Sequence, residues 1–75
     1  MLTYLERRDP KKKMARFYAI SLAPTLFGSC AVIREWGRIG SPGTVREDWY
    51  DNAELAALQL ARIAEAKCGK GYAKR

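Results

Sequence analysis

At 75 residues the chain reads as one domain, with room for one sheet layer and one helix layer. Its 14 Lys+Arg against 8 Asp+Glu leave a net charge of +6, which favours polyanionic partners, nucleic acid or an acidic membrane surface. Two cysteines and no histidine exclude a disulfide framework and a four-ligand zinc site, and no apolar run approaches the ~20 residues of a membrane-spanning helix.

Met1 to Asp9 carries Glu6, Arg7, Arg8 and Asp9 where a secretory signal would need an apolar core, so a reducing cytoplasm is the expected compartment. Leu2 to Arg8 gives a faint strand signal through Leu2, Tyr4 and Leu5. Asp9-Pro10 breaks it, because proline cannot donate to a ladder and pushes the residue before it out of the helical basin. Lys11-Lys12-Lys13 then predicts a solvated hairpin loop, either a solubilising run or an arm that touches phosphates. From Arg16 to Ala23 the sequence alternates: Tyr18, Ile20 and Leu22 share one face, and Phe17, Ala19, Ser21 and Ala23 the other. Pro24 to Ser29 is a turn.

Ser29 to Trp36 is the next strand. Ala31 and Ile33 take one side, and Cys30, Val32, Arg34 and Trp36 the other. If that parity continues through Gly37 without a bulge, Arg34, Trp36 and Arg38 form one stripe. Glycines at 37, 40 and 43 predict a sharp exit from the sheet at the strand end and close backbone approach. Thr44 to Trp49 alternates again, and sequential strands joined by short turns are expected to pair antiparallel.

Asp51 stands three residues before Glu54, the spacing of a capping box, with Tyr50 and Leu55 placed as a hydrophobic staple. The helix that follows gathers Ala53, Ala56, Ala57, Leu60, Ile63 and Ala64 on one side, an alanine-rich stripe that can lie close to a sheet. Gly69 is the expected left-handed terminator. The basic tail from Lys70 to Arg75 is either a frayed end or a last edge strand that returns Tyr72 to the sheet.

Catalysis finds little support. The commonest general acid–base is missing, and no nucleophile elbow or P-loop spacing occurs. Cys30 sits mid-strand as a small hydrophobe. Cys68 falls at a helix C-terminus, where the dipole disfavours a thiolate. The chain is expected to be no enzyme, to need no cofactor, metal or small-molecule substrate, and to stay off membranes.

The concentrated feature is Trp36-Gly37-Arg38-Ile39-Gly40. An indole beside a guanidinium suits a nucleotide, with a ring for sugar or base and a donor fork for phosphate. The ordinary alternative is an indole that anchors the core with the arginine stacked on it. Exposure of the ring separates the two.

With that motif at a strand end, followed by a glycine-rich turn, another strand and one helix, the chain resembles the WGR domain. The resemblance runs from about Thr3 to Tyr72. It rests on Tyr18, Ile20 and Leu22, on Trp36-Gly37-Arg38-Ile39-Gly40, on Trp49 before the helix, on Ala56 or Ala57 inside it, and on the closing set Lys67, Gly69 and Tyr72. It implies an α+β fold, a twisted antiparallel sheet of four to five strands with one helix across it, as a single domain over residues 1–75. WGR domains occur in DNA-dependent poly(ADP-ribose) polymerases, where they bind strand breaks and contact neighbouring domains, and in bacterial proteins that include regulators of molybdate metabolism. The analogy implies that Trp36 stacks on a terminal sugar, that Arg38 contacts DNA or a partner domain, and that Lys67 and Tyr72 sit near phosphates. Gly37, Arg34 and Arg46 complete the expected DNA-binding set. The 75 residues hold no ADP-ribosyltransferase, zinc-finger or regulatory helical domain, so signalling to catalysis within the chain is not expected. A module for DNA ends or nicks is the leading expectation. An adaptor that offers the same Trp-Gly-Arg motif to a protein is the alternative, and single-stranded RNA binding is a third.

Overall fold

A computed structural model describes residues 2–75. The elements, in chain order, are β1 (Leu2–Asp9), β2 (Met14–Pro24), β3 (Cys30–Arg38), β4 (Thr44–Tyr50), α1 (Ala53–Gly69) and a two-residue β5 (Ala73–Lys74). The strands form one antiparallel sheet in the order β4-β3-β2-β1-β5. The expected α+β architecture is therefore present, and the tail is an edge strand that pairs with Leu5 and Glu6. No helix among the described residues is long and apolar enough to cross a membrane.

Local chemistry fixes the turns. Asp9 accepts from the Lys11 and Lys12 amides at 3.1 and 3.3 Å, which holds Pro10–Lys12 as a 3-10 turn, and Lys13 closes it in the left-handed region at φ 50°. This fixes the register of β1 against β2, so Arg7 lies opposite Arg16 and Leu5 opposite Tyr18. A one-residue slip would exchange the two faces.

The strand β3 runs two residues further than expected. Its pairing with β2 continues without a bulge through Trp36, Gly37 and Arg38, so the chain leaves the sheet after Arg38 rather than at Gly37. The exit is made by Gly40, at φ 89°, with the Ser41 amide donating to the Arg38 carbonyl at 3.2 Å. Gly37 serves close approach instead: a Cβ there would lie 3.2 Å from the Gly43 Cα and 3.6 Å from the Phe17 ring. The turn curls back over the sheet on the Phe17 side, and two glycines leave it the room.

The helix begins one residue later than expected. Tyr50 still pairs with Cys30, so Asp51 and Asn52 are both spent on the bend and Asn52 becomes the N-cap, accepting from the Leu55 amide at 2.9 Å. The Asp51–Glu54 capping box and the Tyr50–Leu55 staple do not form. Tyr50 packs on the core, and Leu55 is exposed. At the other end Gly69 stays helical. The positive φ falls on Gly71, at 97°, where Gly71 donates to the Cys68 carbonyl and Tyr72 to that of Lys67, a Schellman closure.

The helix crosses one face of the sheet, against β2, β3 and β4. Its buried stripe is Ala56, Leu60 and Ala64, flanked by Ile63, packed on Leu5, Tyr18, Ile20, Cys30 and Val32. Ala53 and Ala57, expected on this stripe, are exposed because the contact is narrower than the apolar arc. Leu58 is exposed as well.

Candidate functional site

Directly paired residues of adjacent antiparallel strands share a face. The register therefore sorts every strand residue to the helix-bearing face or the helix-free face. On the helix-bearing face, Arg34, Trp36 and Arg38 do form one stripe, and β4 adds Arg46 opposite Arg34.

Trp36 is half-buried. It packs on the core and stacks on Tyr18, its cross-strand partner, at 5.7 Å between centroids and 15° between planes. The indole is neither sealed inside nor wholly free: Tyr18 occupies part of its surface, and the remainder reaches solvent beside exposed Arg38. Tyr72 meets Tyr18 edge-on at 6.2 Å. The Lys67 ammonium lies 4.6 Å from the Tyr18 centroid and 5.9 Å from that of Tyr72. The Schellman closure sets this arrangement, because it turns the chain under Lys67 and lays Tyr72 back on the sheet. Burial, then repulsion from Lys70 and Arg34, lowers the Lys67 ammonium below the ordinary lysine value of 10.5. An anion placed there would relieve that cost.

Arg34 and Arg46 are less free than the sequence suggests. Both pair with Asp48, at 3.0 and 3.2 Å, and the three form a cross-strand cluster of net charge +1. Burial opposes the Arg34 charge, yet Tyr18 and Asp48 outweigh it and leave the guanidinium raised. The Arg34 Nε has no hydrogen-bond partner among the described residues. Gly37 contributes no contact to this face, and its hydrogens point to the other.

Sequence reasoning missed the most distinctive feature. Arg7, Arg16 and Arg38 lie directly opposite one another on β1, β2 and β3, a row of three cations adjacent to the row Leu5–Tyr18–Trp36. None of the three takes part in an ion pair among the described residues. Like charges placed opposite each other on a sheet destabilise it, so the row stores repulsion that a polyanion would neutralise. Next to it, a cleft of about 450 Å³ is lined by Lys12, Lys13, Met14, Ala15, Arg16, Arg38 and Ile39, with no carboxylate. The alternation of Arg16 with Tyr18 was visible in the sequence. Its alignment with Arg7 and Arg38 was not, since that needs the register.

No cluster of three or more candidate metal ligands occurs among the described residues. Cys30 is buried and Cys68 exposed, both as free thiols.

The family model described as WGR domain matches residues 1–75. A protein of Sinorhizobium fredii (strain NBRC 101917 / NGR234), named uncharacterized protein y4dW, is 39% identical over 72 residues, which is 96% of this chain and 35% of that protein. The chain thus spans about a third of the length of the curated relative it matches. No solved structure matches it.

Proposed function

The chain belongs to the WGR domain family, a family of nucleic-acid-binding modules, and we propose that residues 1–75 act as one non-catalytic module that grips DNA at ends or nicks. The observation that carries this reading is the unpaired row Arg7–Arg16–Arg38 running beside the Tyr18–Trp36 stack. Phosphates would lie along the arginine row and the lysine-lined cleft, and these contacts would supply most of the affinity. The part of the Trp36 ring not covered by Tyr18 would meet the sugar or base of the last nucleotide. A strand end or a nick leaves such a nucleotide with an open side that a closed duplex lacks, and an aromatic contact of this kind contributes about 1–3 kcal/mol. Lys67 from the helix and Tyr72 from the turn after it would close the site, and Arg34 and Arg46 would add a smaller share because Asp48 already neutralises part of their charge.

The same pair of types, a half-buried tryptophan beside an exposed arginine, also suits a protein partner. Three adjacent cations without a carboxylate favour a polyanion over it.

The test is fluorescence polarisation with blunt, nicked and single-stranded DNA, and a closed circle as competitor, at two salt concentrations. Trp36→Ala should weaken binding to blunt and nicked DNA by about ten-fold, equivalent to ~1.4 kcal/mol, and leave competition by the circle almost unchanged. Equal loss on every substrate would remove end recognition. Binding that ignores salt would remove the electrostatic contact itself.

A further inference from the structure

The helix-free face differs in kind. By register it carries Leu2, Tyr4, Glu6 and Arg8 from β1, Phe17 and Ala19 from β2, Ile33 and Glu35 from β3, and Val45, Glu47 and Trp49 from β4. With Arg75, which pairs with Glu6, its charges are three carboxylates and two guanidiniums, in a chain whose net charge is +6. Leu2, Val45 and Trp49 are exposed, at 68%, 60% and 60% of their surface, so no element of the described chain covers them.

The face has a shaped hollow of about 300 Å³. Its floor is the cross-strand row Tyr4–Ala19–Glu35, in which a methyl group separates a phenol ring from a carboxylate. Phe17 stands edge-on to Tyr4 at 6.2 Å, and the curled turn supplies Ile39 and Gly40 as the far wall. Glu6 is held by Arg8 and Arg75, and Glu47 accepts from the Trp49 indole. Glu35 is half-buried and has no ion pair or side-chain hydrogen bond among the described residues.

We propose that this face is a second docking surface, which receives a protein segment presenting a lysine or arginine between apolar side chains. The aliphatic stem would lie on Ala19 alongside the Tyr4 and Phe17 rings, which touch each other edge-on, and the charged head would reach Glu35. Apolar neighbours of that residue would cover Leu2 and Val45 beside the hollow and reach towards Trp49 on the edge strand β4. Nucleic acid fits poorly here, because Glu35 and Glu47 have no cationic partner among the described residues and would repel phosphate. A second copy laid face to face fits poorly, since it would set Glu35 and Glu47 of both chains against each other. The inference is independent of the nucleic-acid reading, which concerns the other face.

The test is amide chemical-shift mapping of the whole chain with a short synthetic peptide carrying one lysine flanked by leucine and phenylalanine. Companion peptides carry norleucine or glutamate in place of the lysine. The lysine peptide should move the amides of Tyr4, Phe17, Ala19, Glu35 and Gly40. Glu35→Gln should weaken it about five-fold, the loss of one exposed charge pair of ~1 kcal/mol. Glu35→Lys should reverse the preference towards the glutamate peptide, a result that a merely misfolded variant would not give. Equal binding of the norleucine peptide, shifts centred on Trp36 and Lys67, or shifts that follow protein concentration without peptide would each overturn the proposal. Duplex DNA added to the same sample should leave the affinity for the lysine peptide unchanged. If it displaces the peptide, the face is not separate from the nucleic-acid site and the proposal fails.

Discussion

Arg16 is the centre of the unpaired row, and Arg16→Gln should change stability and binding in opposite directions. The residue faces Arg7 on one side and Arg38 on the other. A like-charge pair directly across a sheet costs about 0.2–1 kcal/mol, so neutralising the middle member relieves two such pairs, roughly 0.5–2 kcal/mol. For a domain of this size each kcal/mol moves the melting temperature by about 4–8 °C, which predicts a rise of several degrees at low salt. The gain should fade towards 1 M salt, where the screening length falls to about 3 Å. Glutamine keeps most of the stem, so packing along β2 changes little. Binding should weaken, and the slope of log K against log salt should fall by about 0.9 for each duplex phosphate no longer neutralised. Melting curves and polarisation titrations over one salt series measure both effects. Arg8→Gln, on the other face, should leave the slope unchanged and lose only its contact with Glu6. If Arg16→Gln melts lower than the native chain at low salt and keeps its full salt slope, the row stores no repulsion and faces no polyanion, and the reasoning is wrong.

Leu60→Ala should cost about 2–5 kcal/mol in urea unfolding, because Leu60 is the one long side chain in the buried stripe of α1; an unchanged midpoint would mean that the helix does not pack there. Gly43→Ala should lower stability by about 1–3 kcal/mol, since its Cβ would lie 2.8 Å from the Trp36 carbonyl oxygen and from the Phe17 ring, and 2.9 Å from Glu35. A thermal melt equal to that of the native chain would show that the turn does not curl onto the sheet. The Lys67 side chain, followed by carbon-detected NMR, should titrate below 10.5 and move upward when DNA is bound. Its depressed value disfavours the folded protonated form, so stability should rise as pH climbs from that value to 10.5, and Lys67→Met should flatten the rise.

Within single elements the sequence was a good guide. The alternation of Tyr18, Ile20 and Leu22 names the buried side of β2, and the parity of Cys30, Val32, Arg34 and Trp36 names that of β3. The errors gather at element ends, where neighbours compete for the same role. Asp51 and Asn52 are both good N-caps, and the choice between them is made by Tyr50, which stays paired with Cys30 and leaves two residues for the bend. Gly69 and Gly71 could each end the helix, and the later one wins because Tyr72 must return to Tyr18. The arginine row lay further out of reach. Each strand's parity is local, whereas the alignment of Arg7 with Arg16 depends on the left-handed Lys13 that closes the first turn. Nothing in a three-lysine run announces that geometry.

Trp36-Gly37-Arg38-Ile39-Gly40 earns its density of unusual residues by serving both faces at once. An unbroken β3 sends Trp36 and Arg38 to the cationic side, next to Tyr18 and Arg16. It also sends Gly37 to the other side, where the missing side chain admits Gly43 and lets the turn wall off the hollow above Glu35 with Ile39 and Gly40. A bulge at Gly37 would have moved Arg38 out of its row and opened that wall in the same step. Any residue larger than glycine at 37 should therefore disturb the two surfaces together. Alanine there would push on the Gly43 Cα at 3.2 Å and, through the same strand, on the position of Arg38 beside Arg16. The spacing of the motif follows from this: the aromatic and the guanidinium must be two apart to share a face, and the residue between them must be absent in all but backbone.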